Sequence, residues 1–276
     1  MTLPVPAQPL DLRQLLTLQQ VAKDFFVGQT PAYEWGRVYG GQVVAQGLAA
    51  ATATVHPEHR LHSVHAYFVL SGTPQEPILY DVDRLRDGRS FSTRRVVARQ
   101  SAGAILNLDA SFQRDEPGLD ISETGLEDDL PDPESLPRAQ WNGLGDVREV
   151  PNQPGQARSR MWIRATDDLG DSPALHACAL AYLTDHNPID AIAMSHPLGL
   201  DWDKLMTASL DHAVWLHRPA RADQWLLFDM RGHGLVNARG MATGTVHTRD
   251  GAHVATIAQE GLVRVAREPR SRPASG

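Results

Sequence analysis

The sequence feature that most constrains the fold of this chain is a loose internal repeat. Three pairs of segments match at nearly one spacing: Ile78-Leu-Tyr-Asp81 with Leu226-Leu-Phe-Asp229, Gly103 with Gly251, and His65-Ala-Tyr-Phe68 with His212-Ala-Val-Trp215. The first two pairs are 148 residues apart and the third is 147 residues apart. Self-similarity at a fixed spacing is the signature of a duplicated structural unit. The repeat therefore predicts two tandem units of one fold.

A segment rich in acids and prolines separates the two matched regions. Between Asp115 and Glu134 there are nine Asp and Glu residues and no Lys or Arg, and six prolines fall within 117–154. This composition is typical of a connecting segment without a core of its own. We predict an N-terminal unit over 10–115, a linker over 116–156 and a C-terminal unit over 157–268.

Each unit contains an alanine-rich stretch with helical character, followed by several alternating strand-like runs. The stretches are Gly41-Gln-Val-Val-Ala-Gln-Gly-Leu-Ala-Ala-Ala-Thr-Ala53 and Ser172-Pro-Ala-Leu-His-Ala-Cys-Ala-Leu-Ala-Tyr-Leu-Thr184. Small apolar residues on nearly all faces indicate buried helices, and Ser172 with Pro173 is a typical helix start. One buried helix followed by antiparallel strands predicts an α+β unit in which the sheet wraps the helix.

Composition narrows the classes of partner. The formal net charge is −7, but the nine acids of the linker leave 24 acidic residues against 26 Lys and Arg elsewhere in the chain. The chain outside the linker is therefore nearly neutral, which gives no indication of nucleic-acid binding. No apolar run approaches the roughly 18 residues of a membrane span. The single cysteine, Cys178, and an N-terminus without the pattern of a secretory signal lead us to expect a soluble, cytoplasmic protein.

Two polar residues interrupt runs that otherwise alternate like strands facing a core. Asp211 lies in Ser209-Leu-Asp-His-Ala-Val-Trp215, and Gln259 lies in the apolar run from Val254 to Arg264. A buried carboxylate is costly unless it is paired or hydrogen-bonded, and a carboxylate in an apolar wall also fits a general base. From the residues alone, a structural and a catalytic role for Asp211 both stay open.

Four motifs, in order along most of the chain, resemble those of type II acyl-CoA thioesterases. They are Arg37-Val-Tyr-Gly-Gly-Gln-Val-Val-Ala-Gln46, His62-Ser-Val-His-Ala-Tyr-Phe68, Ser209-Leu-Asp-His-Ala-Val-Trp-Leu-His-Arg-Pro219 and Ala258-Gln-Glu-Gly261. The resemblance implies a double hotdog, in which two units, each a long helix gripped by an antiparallel sheet, pair within one chain. It also implies acyl-CoA as the substrate, no cofactor and no metal, and we expect a homo-oligomer.

The resemblance further implies a catalytic set of an Asp, a Gln and a Ser or Thr that hold the attacking water. Asp211 and Gln259 match the first two positions by motif. The hydroxyl position falls in Met230-Arg-Gly-His-Gly-Leu-Val236, which contains no Ser or Thr, and His233 is the nearest polar replacement. The predicted set is therefore Asp211 as base, Gln259 to aim the water, and His233 at the third position.

Thioester hydrolysis also needs donors for the developing oxyanion and cations for the phosphates of coenzyme A. The helix start at Gly40 and Gly41 is the candidate oxyanion site, because its free N–H groups favour negative charge and glycine permits close approach. Arg37, Arg218 and Arg239 adjoin the matched motifs or the presumed catalytic loop, and they are the candidate phosphate ligands.

Two alternatives belong to other functional classes. Asp185-His-Asn-Pro-Ile-Asp190 resembles the Asp-x-Asn-Pro-x-His motif of hotdog enoyl-CoA hydratases, but Asp190 stands where those enzymes have the His. We interpret this stretch as the end of a helix at Pro188. The second alternative is a protein that binds acyl-CoA without turnover, which the missing hydroxyl leaves open.

Overall fold

The computed structural model of the chain describes residues 10–31, 33–141, 143–152 and 155–266. The N-terminal residues on which the absence of a secretory signal was predicted, and the last two positions of the expected C-terminal unit, lie outside these ranges. Within them, no helix is long and apolar enough to cross a membrane.

Each half of the chain contributes helices and strands in a similar sequence. The N-terminal half contains α1 (Leu12–Leu16), β1 (Gln19–Ala22), β2 (Phe25–Gly28), α2 (Gly40–Thr52), β3 (His59–Phe68), β4 (Ile78–Asp87), β5 (Phe91–Gln100) and β6 (Gly103–Arg114). The C-terminal half contains β7 (Gly145–Val150), β8 (Arg158–Ala165), α3 (Pro173–Thr184), α4 (Pro188–Ala193), β9 (Leu205–Ser209), β10 (Asp211–Leu216), β11 (Leu226–Val236), β12 (Arg239–Thr248) and β13 (His253–Val265).

The two predicted helices are present, and their termini follow the expected chemistry. Helix α3 begins at Pro173, and the Ser172 hydroxyl accepts a hydrogen bond from the N–H of Leu175. Helix α2 follows Tyr39, which provides no side-chain cap, so the first N–H groups of this helix are left to other partners. Ten of the thirteen residues of α2 are buried, as its small apolar residues predict.

The strands form one antiparallel sheet in the order β1-β2-β4-β5-β6-β3-β10-β13-β12-β11-β8-β7, with β9 paired to β13. Read outward from the central β3–β10 pair, the two halves have the same topology. The two helices pack against each other, α2 also against β4, β5 and β6, and α3 against β8 and β10. The core is continuous across both halves.

The strand positions confirm two of the three sequence matches that indicated the repeat. Strands β4 and β11 begin 148 residues apart. Gly103 is the first residue of β6, Gly251 lies two residues before the equivalent strand β13, and both have positive φ, of 127° and 92°. The third match is a coincidence of sequence. The His65 ring packs edge-on against Trp215 on one face of the sheet, whereas His212 is fully buried on the other.

The segment expected to be a linker contains a strand. Strand β7 pairs with β8 over Gly145–Ala165 to Val150–Arg160, so the last part of 116–156 belongs to the sheet. The composition of this segment did not predict a strand, because the strand contains several polar residues. These residues are ion-paired in the fold, as Asp146 is with Arg148 at 2.9 Å. The acidic part also lies along the C-terminal half, where Glu127 pairs with Arg158 and Arg160 at 2.8 Å.

Candidate active site

The start of α2 lies against the end of α3, and the residues there approach closely. A Cβ atom on Gly40 would stand 2.6 Å from Oδ2 of Asp185, and one on Gly41 would stand 2.4 Å from the carbonyl oxygen of Tyr182. Tyr39 donates its hydroxyl to that same carbonyl at 3.1 Å. Glycine is therefore required at both positions to bring the first turn of α2 onto the Asp185 carboxyl.

Asp185 caps the C-terminus of α3, directly after Thr184, and it is 7% exposed. The backbone N–H of Gly41 and the side-chain amide of Gln259 lie beside its carboxyl and act to lower its pKa. The Ser209 hydroxyl, at the end of β9, donates to Oδ1 at 3.3 Å. The carboxyl thus joins both helices and two strands of the C-terminal half.

A chain of hydrogen bonds leads from the core to this carboxyl. Gln259 donates Nε2 to the Ser209 hydroxyl at 2.9 Å, and its Oε1 accepts Nδ1–H of His212 at 2.5 Å. The remaining ring nitrogen of His212 lies 2.8 Å from the Thr184 hydroxyl. The side chains of Gln259, His212 and Thr184 are fully buried, so each link fixes the orientation of the next.

Burial sets the protonation states of the cluster. It raises the pKa of Asp185 to about 7, although the hydrogen bonds from Gly41, Ser209 and Gln259 and the charge of Arg37 favour the ionised form. Burial lowers the pKa of His212 to about 4, so the imidazole is neutral. The cluster thus contains a carboxyl that changes charge near neutral pH, held by uncharged donors.

Of the predicted catalytic residues, Gln259 lies in this cluster and Asp211 does not. Asp211 is paired with Tyr67 of β3, which is 63% exposed, and its Oδ1 accepts the N–H of Glu260 at 2.6 Å. The next residue, His212, faces Gln259. Because successive side chains of a strand point to opposite faces, Asp211 and Gln259 lie on opposite sides of the sheet.

His233 also lies away from Gln259. It sits at an irregularity of β11, is exposed, and its Nε2 is 2.7 Å from the Thr243 hydroxyl. Thr243 is paired with Ala258 on β13, and Gln259 is paired with Ala242, so the two pairs face opposite sides of the sheet. The structure does not bring His233 to Gln259.

The three candidate arginines occupy different places. Arg37 lies just before α2, its charge acts on Asp185, and its Nη2 is 3.5 Å from the carbonyl oxygen of Thr207 on β9. Arg239 pairs with Glu260 at 2.9 Å on the Asp211 side of the sheet. Arg218 lies beyond the far end of β10 and pairs with Asp120. Only Arg37 adjoins the Asp185 cluster.

Sequence reasoning missed Asp185 and Ser209 as members of the site. The signal for Asp185 was the Asp185-His-Asn-Pro stretch, which we interpreted only as a helix end. Helix α3 does end just before this stretch, at Thr184, and Pro188 is the first residue of a second helix, α4. Ser209 is the first residue of one of the four matched motifs, but no role was predicted for it, since a hydroxyl at a strand end is common and its partners are distant in the chain.

The described residues contain no group of three or more His, Cys, Asp or Glu side chains that could hold a metal ion. The groups available at the start of α2 are a carboxyl, a hydroxyl, an amide and helix N–H groups. This set suits acid–base chemistry on a polarised carbonyl.

Two family models match the chain. The acyl-CoA thioesterase N-terminal domain matches residues 30–113, and the acyl-CoA thioesterase C-terminal domain matches residues 122–263. This chain belongs to the acyl-CoA thioesterase family. The family identified from four sequence motifs is therefore confirmed.

Curated relatives and solved structures agree with this family. Acyl-CoA thioesterase 2 of Haemophilus influenzae is 31% identical over 92% of this chain and 97% of its own length. Human acyl-coenzyme A thioesterase 8 is 32% identical over 93% of this chain and 91% of its own. The crystal structure of acyl-CoA thioesterase II TesB2 from Mycobacterium marinum superposes with a TM-score of 0.80, at 36% identity, over 95% of this chain and 99% of that one.

A more distant solved structure has a fold that its name states. A protein of unknown function with a hot dog fold from Alicyclobacillus acidocaldarius has a TM-score of 0.73 at 19% identity, over 92% of this chain and 98% of that one. The antiparallel sheet with few helices is thus a hotdog architecture, as the sequence motifs predicted.

Proposed function

We propose that this protein hydrolyses acyl-CoA thioesters to free fatty acid and coenzyme A, with water as the nucleophile and no covalent intermediate. Its membership of the acyl-CoA thioesterase family and the nearly full-length relatives named as thioesterases support this activity. The observation that carries the proposal is the buried carboxyl, hydroxyl and amide cluster placed against the start of α2.

The chemistry follows from these groups. Backbone N–H groups in the first turn of α2 stabilise the negative charge that develops on the thioester oxygen. Gln259 offers both a donor and an acceptor, so its amide can orient the attacking water. A carboxylate removes the proton of that water. Two carboxylates are candidates for this step: Asp185, which the Ser209 hydroxyl links to Gln259, and Asp211, which the family motif predicts and whose pKa burial raises. The position beside the start of α2 favours Asp185, because the Asp211 carboxyl faces the other side of the sheet.

His233 remains the predicted residue at the third catalytic position. The exposed Arg37, near the start of α2, is the strongest of the three candidates to bind the phosphates of coenzyme A, with Arg218 and Arg239 as the weaker candidates. These roles rest on the motif matches and on the position of each residue relative to α2.

The direct test is release of free thiol from a panel of acyl-CoA substrates of increasing chain length. We expect turnover with at least one chain length, at a rate proportional to enzyme. An enoyl-CoA hydratase would hydrate an enoyl-CoA without releasing thiol, and a binding protein would saturate without turnover. Either result would contradict the proposal.

We further propose that each half is a complete hotdog unit, with α2 or α3 as the central helix enclosed by its half of the sheet. We also propose that the protein is cytoplasmic and forms a homo-oligomer. The buried, reduced Cys178 supports the cytoplasmic location. The exposed Tyr67 and Met241 on the outer face of the sheet support the homo-oligomer. Light scattering after gel filtration tests the oligomer, and a monomeric mass would contradict it.

A further inference from the structure

We propose that the chain has a second, non-catalytic site that binds a long-chain fatty acid in a cavity at the start of α3. The hydrocarbon chain lies in this α3 cavity, and the carboxylate lies at its basic rim. The cavity has a volume of about 710 Å³, and small-molecule sites commonly occupy about 300–1,000 Å³. The choice of a fatty acid rests on the proposed function, because a fatty acid is the product of that reaction, but binding itself needs no turnover.

The α3 cavity lies where the two halves of the sheet part. Strand β3 stays paired with β6 down to His59, but its pairing with β10 ends at Ser63 and Trp215. The start of β3 and the segment after β10 therefore leave a gap between them. The end of α2 and the start of α3 line the cavity together with both of these segments.

This cavity is the counterpart of the Asp185 cluster in the duplicated fold. The cluster lies between the start of α2, the end of α3 and β9, whereas the cavity lies between the start of α3, the end of α2 and the start of β3. Exchanging the two halves of the chain therefore exchanges the two places. A frame that presents a helix start to an acyl compound is thus present twice.

The polar strand residues of the cluster are replaced by apolar ones in the cavity half. Ala110 is the equivalent of Gln259, because its partner on β5 lies 148 residues before the partner of Gln259 on β12. Leu61 pairs with β6 two positions beyond Ala110, as Ser209 pairs with β13 two positions beyond Gln259. The amide and the hydroxyl of the cluster thus have an alanine and a leucine as their counterparts.

The helix termini differ in the same direction. Helix α2 ends with Ala53 as its C-cap, whereas α3 ends with Asp185. At the start of α3, Pro173 has no N–H, and the Ser172 hydroxyl accepts the N–H of Leu175. A thioester at this helix start would meet no carboxylate base at the helix end and fewer donors for its oxyanion. The cavity can therefore hold an acyl compound without hydrolysing it.

The wall of the cavity suits a hydrocarbon chain. Leu180 of α3 lines it and is 2% exposed, while Val55, Leu61 and Leu216 line it and pack against the main core. Ala177 lies one turn before Leu180 on the same face of α3 and also lines the cavity. Its small side chain leaves room that a larger one would fill. A chain placed against this wall removes apolar surface from water.

The rim of the cavity suits an anion. It contains Arg60, Arg114 and Arg218 against two carboxylates, Asp115 and Glu116, and it also contains four histidines. Arg60 pairs with Asp115 at 2.7 Å, but the two side chains are 47% and 70% exposed. Exposed ion pairs contribute little stability, so a ligand carboxylate can take the place of Asp115. The ligand that fits is therefore a long chain that ends in an anion.

The first test titrates the whole protein with dodecanoate by calorimetry and blocks the cavity with Ala177→Phe. The phenyl ring occupies space that the chain needs, so the dissociation constant of this binding event should rise by at least ~10-fold. Any dodecanoate bound at the catalytic site should be unaffected. Without fatty acid, kcat for thiol release should equal that of wild type. Circular dichroism and Tm check that the variant is folded.

The second test changes only the surface. Arg60→Ala removes one cation of the rim, so the dissociation constant for dodecanoate should rise by roughly 2- to 5-fold. Arg95→Ala is the matched control, because Arg95 has a similarly exposed pair with Asp109 at 3.0 Å outside the cavity. This control should bind dodecanoate as wild type does. Dodecanol, which has the chain without the charge, should bind equally to Arg60→Ala and wild type.

Coenzyme A distinguishes a fatty-acid site from a nucleotide site. It has the phosphates without the acyl chain, and it should bind equally to wild type and Ala177→Phe. Loss of coenzyme A binding in Ala177→Phe, with dodecanoate binding intact, would assign the cavity to the nucleotide and overturn the proposal.

The outcomes separate this site from the proposed function. Weaker dodecanoate binding in both Ala177→Phe and Arg60→Ala supports the site. Unchanged binding in folded Ala177→Phe, or equal binding in Arg60→Ala and Arg95→Ala, overturns it, and the second comparison decides alone if Ala177→Phe does not fold. A wild-type protein that releases no thiol from any acyl-CoA, yet loses dodecanoate binding in these variants, overturns the proposed function and leaves the fatty-acid site standing.

Discussion

The buried carboxyl of Asp185 should reduce the stability of the fold as pH rises, and the Asp185→Asn variant should remove that effect. The pKa of this group is raised from 3.8 to about 7 by burial. A carboxyl with a raised folded-state pKa costs nothing below its unfolded pKa, and stability is lost as pH rises through the folded pKa. The window is therefore pH 4 to 7, with the full effect above it.

The magnitude follows from the shift. About three pKa units correspond to about 4 kcal/mol above pH 7, and about 1.5 kcal/mol of this is already present at pH 5. Asparagine is uncharged over the whole pH range. Its changes in packing and hydrogen bonding therefore alter the free energy of unfolding by an amount that does not depend on pH. The free energy of unfolding of Asp185→Asn, relative to wild type, should thus rise by about 2.5 kcal/mol between pH 5 and 8.5. For a chain of this length that corresponds to roughly 4 °C in Tm.

Thermal unfolding of both proteins across pH 5 to 8.5 gives the measurement. Asp24→Asn is the control, because Arg84 lowers the pKa of Asp24 and the carboxyl stays ionised throughout this range. Its Tm difference from wild type should be independent of pH. A Tm difference for Asp185→Asn that is equally flat would refute the assignment of a raised pKa to this carboxyl.

Three further predictions concern the site. Gly41→Ala should lower the free energy of unfolding by ~1–3 kcal/mol in thermal or urea denaturation, because its Cβ would meet the fixed carbonyl of Tyr182, and unchanged stability would show that the helices can separate there. Arg37→Ala should raise KM for acyl-CoA more than KM for a short acyl thioester without the nucleotide, whereas equal effects would make Arg37 structural. If His233 holds the third catalytic position, His233→Leu should lower kcat more than His233→Ser, which restores a hydroxyl; equal kcat values would remove His233 from the set.

Local chemistry made much of the fold predictable from the sequence. The start of α3 could be placed because a serine cap and a proline act within one turn, and β4 with β11 could be paired because apolar alternation repeats at one spacing. Strand β7 could not be predicted from the sequence, because its polar side chains meet their ion-pair partners only in the folded chain, as Asp146 does with Arg148 and Arg164.

The site was only partly predictable for the same reason. Gln259 stood out because an amide interrupted an apolar strand. Asp185 could not be recognised in the same way, because the residues that surround its carboxyl are distant in the chain. Gly41, Ser209 and Gln259 lie 144, 24 and 74 residues away. The side of the sheet to which the Asp211 side chain points depends on the residue at which β10 begins. Sequence patterns predict that residue only to within a few positions.

The two candidate carboxylates can be compared directly by the kcat for thiol release at pH 8 of Asp185→Asn and Asp211→Asn, measured side by side on the best acyl-CoA substrate. At this pH the Asp185 carboxyl, whose pKa is about 7, is largely ionised in the wild-type enzyme, and each variant removes one carboxylate at a time. We expect a loss of at least ~10²-fold for Asp185→Asn and a distinctly smaller loss for Asp211→Asn. The reverse order, with Asp211→Asn nearly inactive and Asp185→Asn close to wild type, would contradict this expectation.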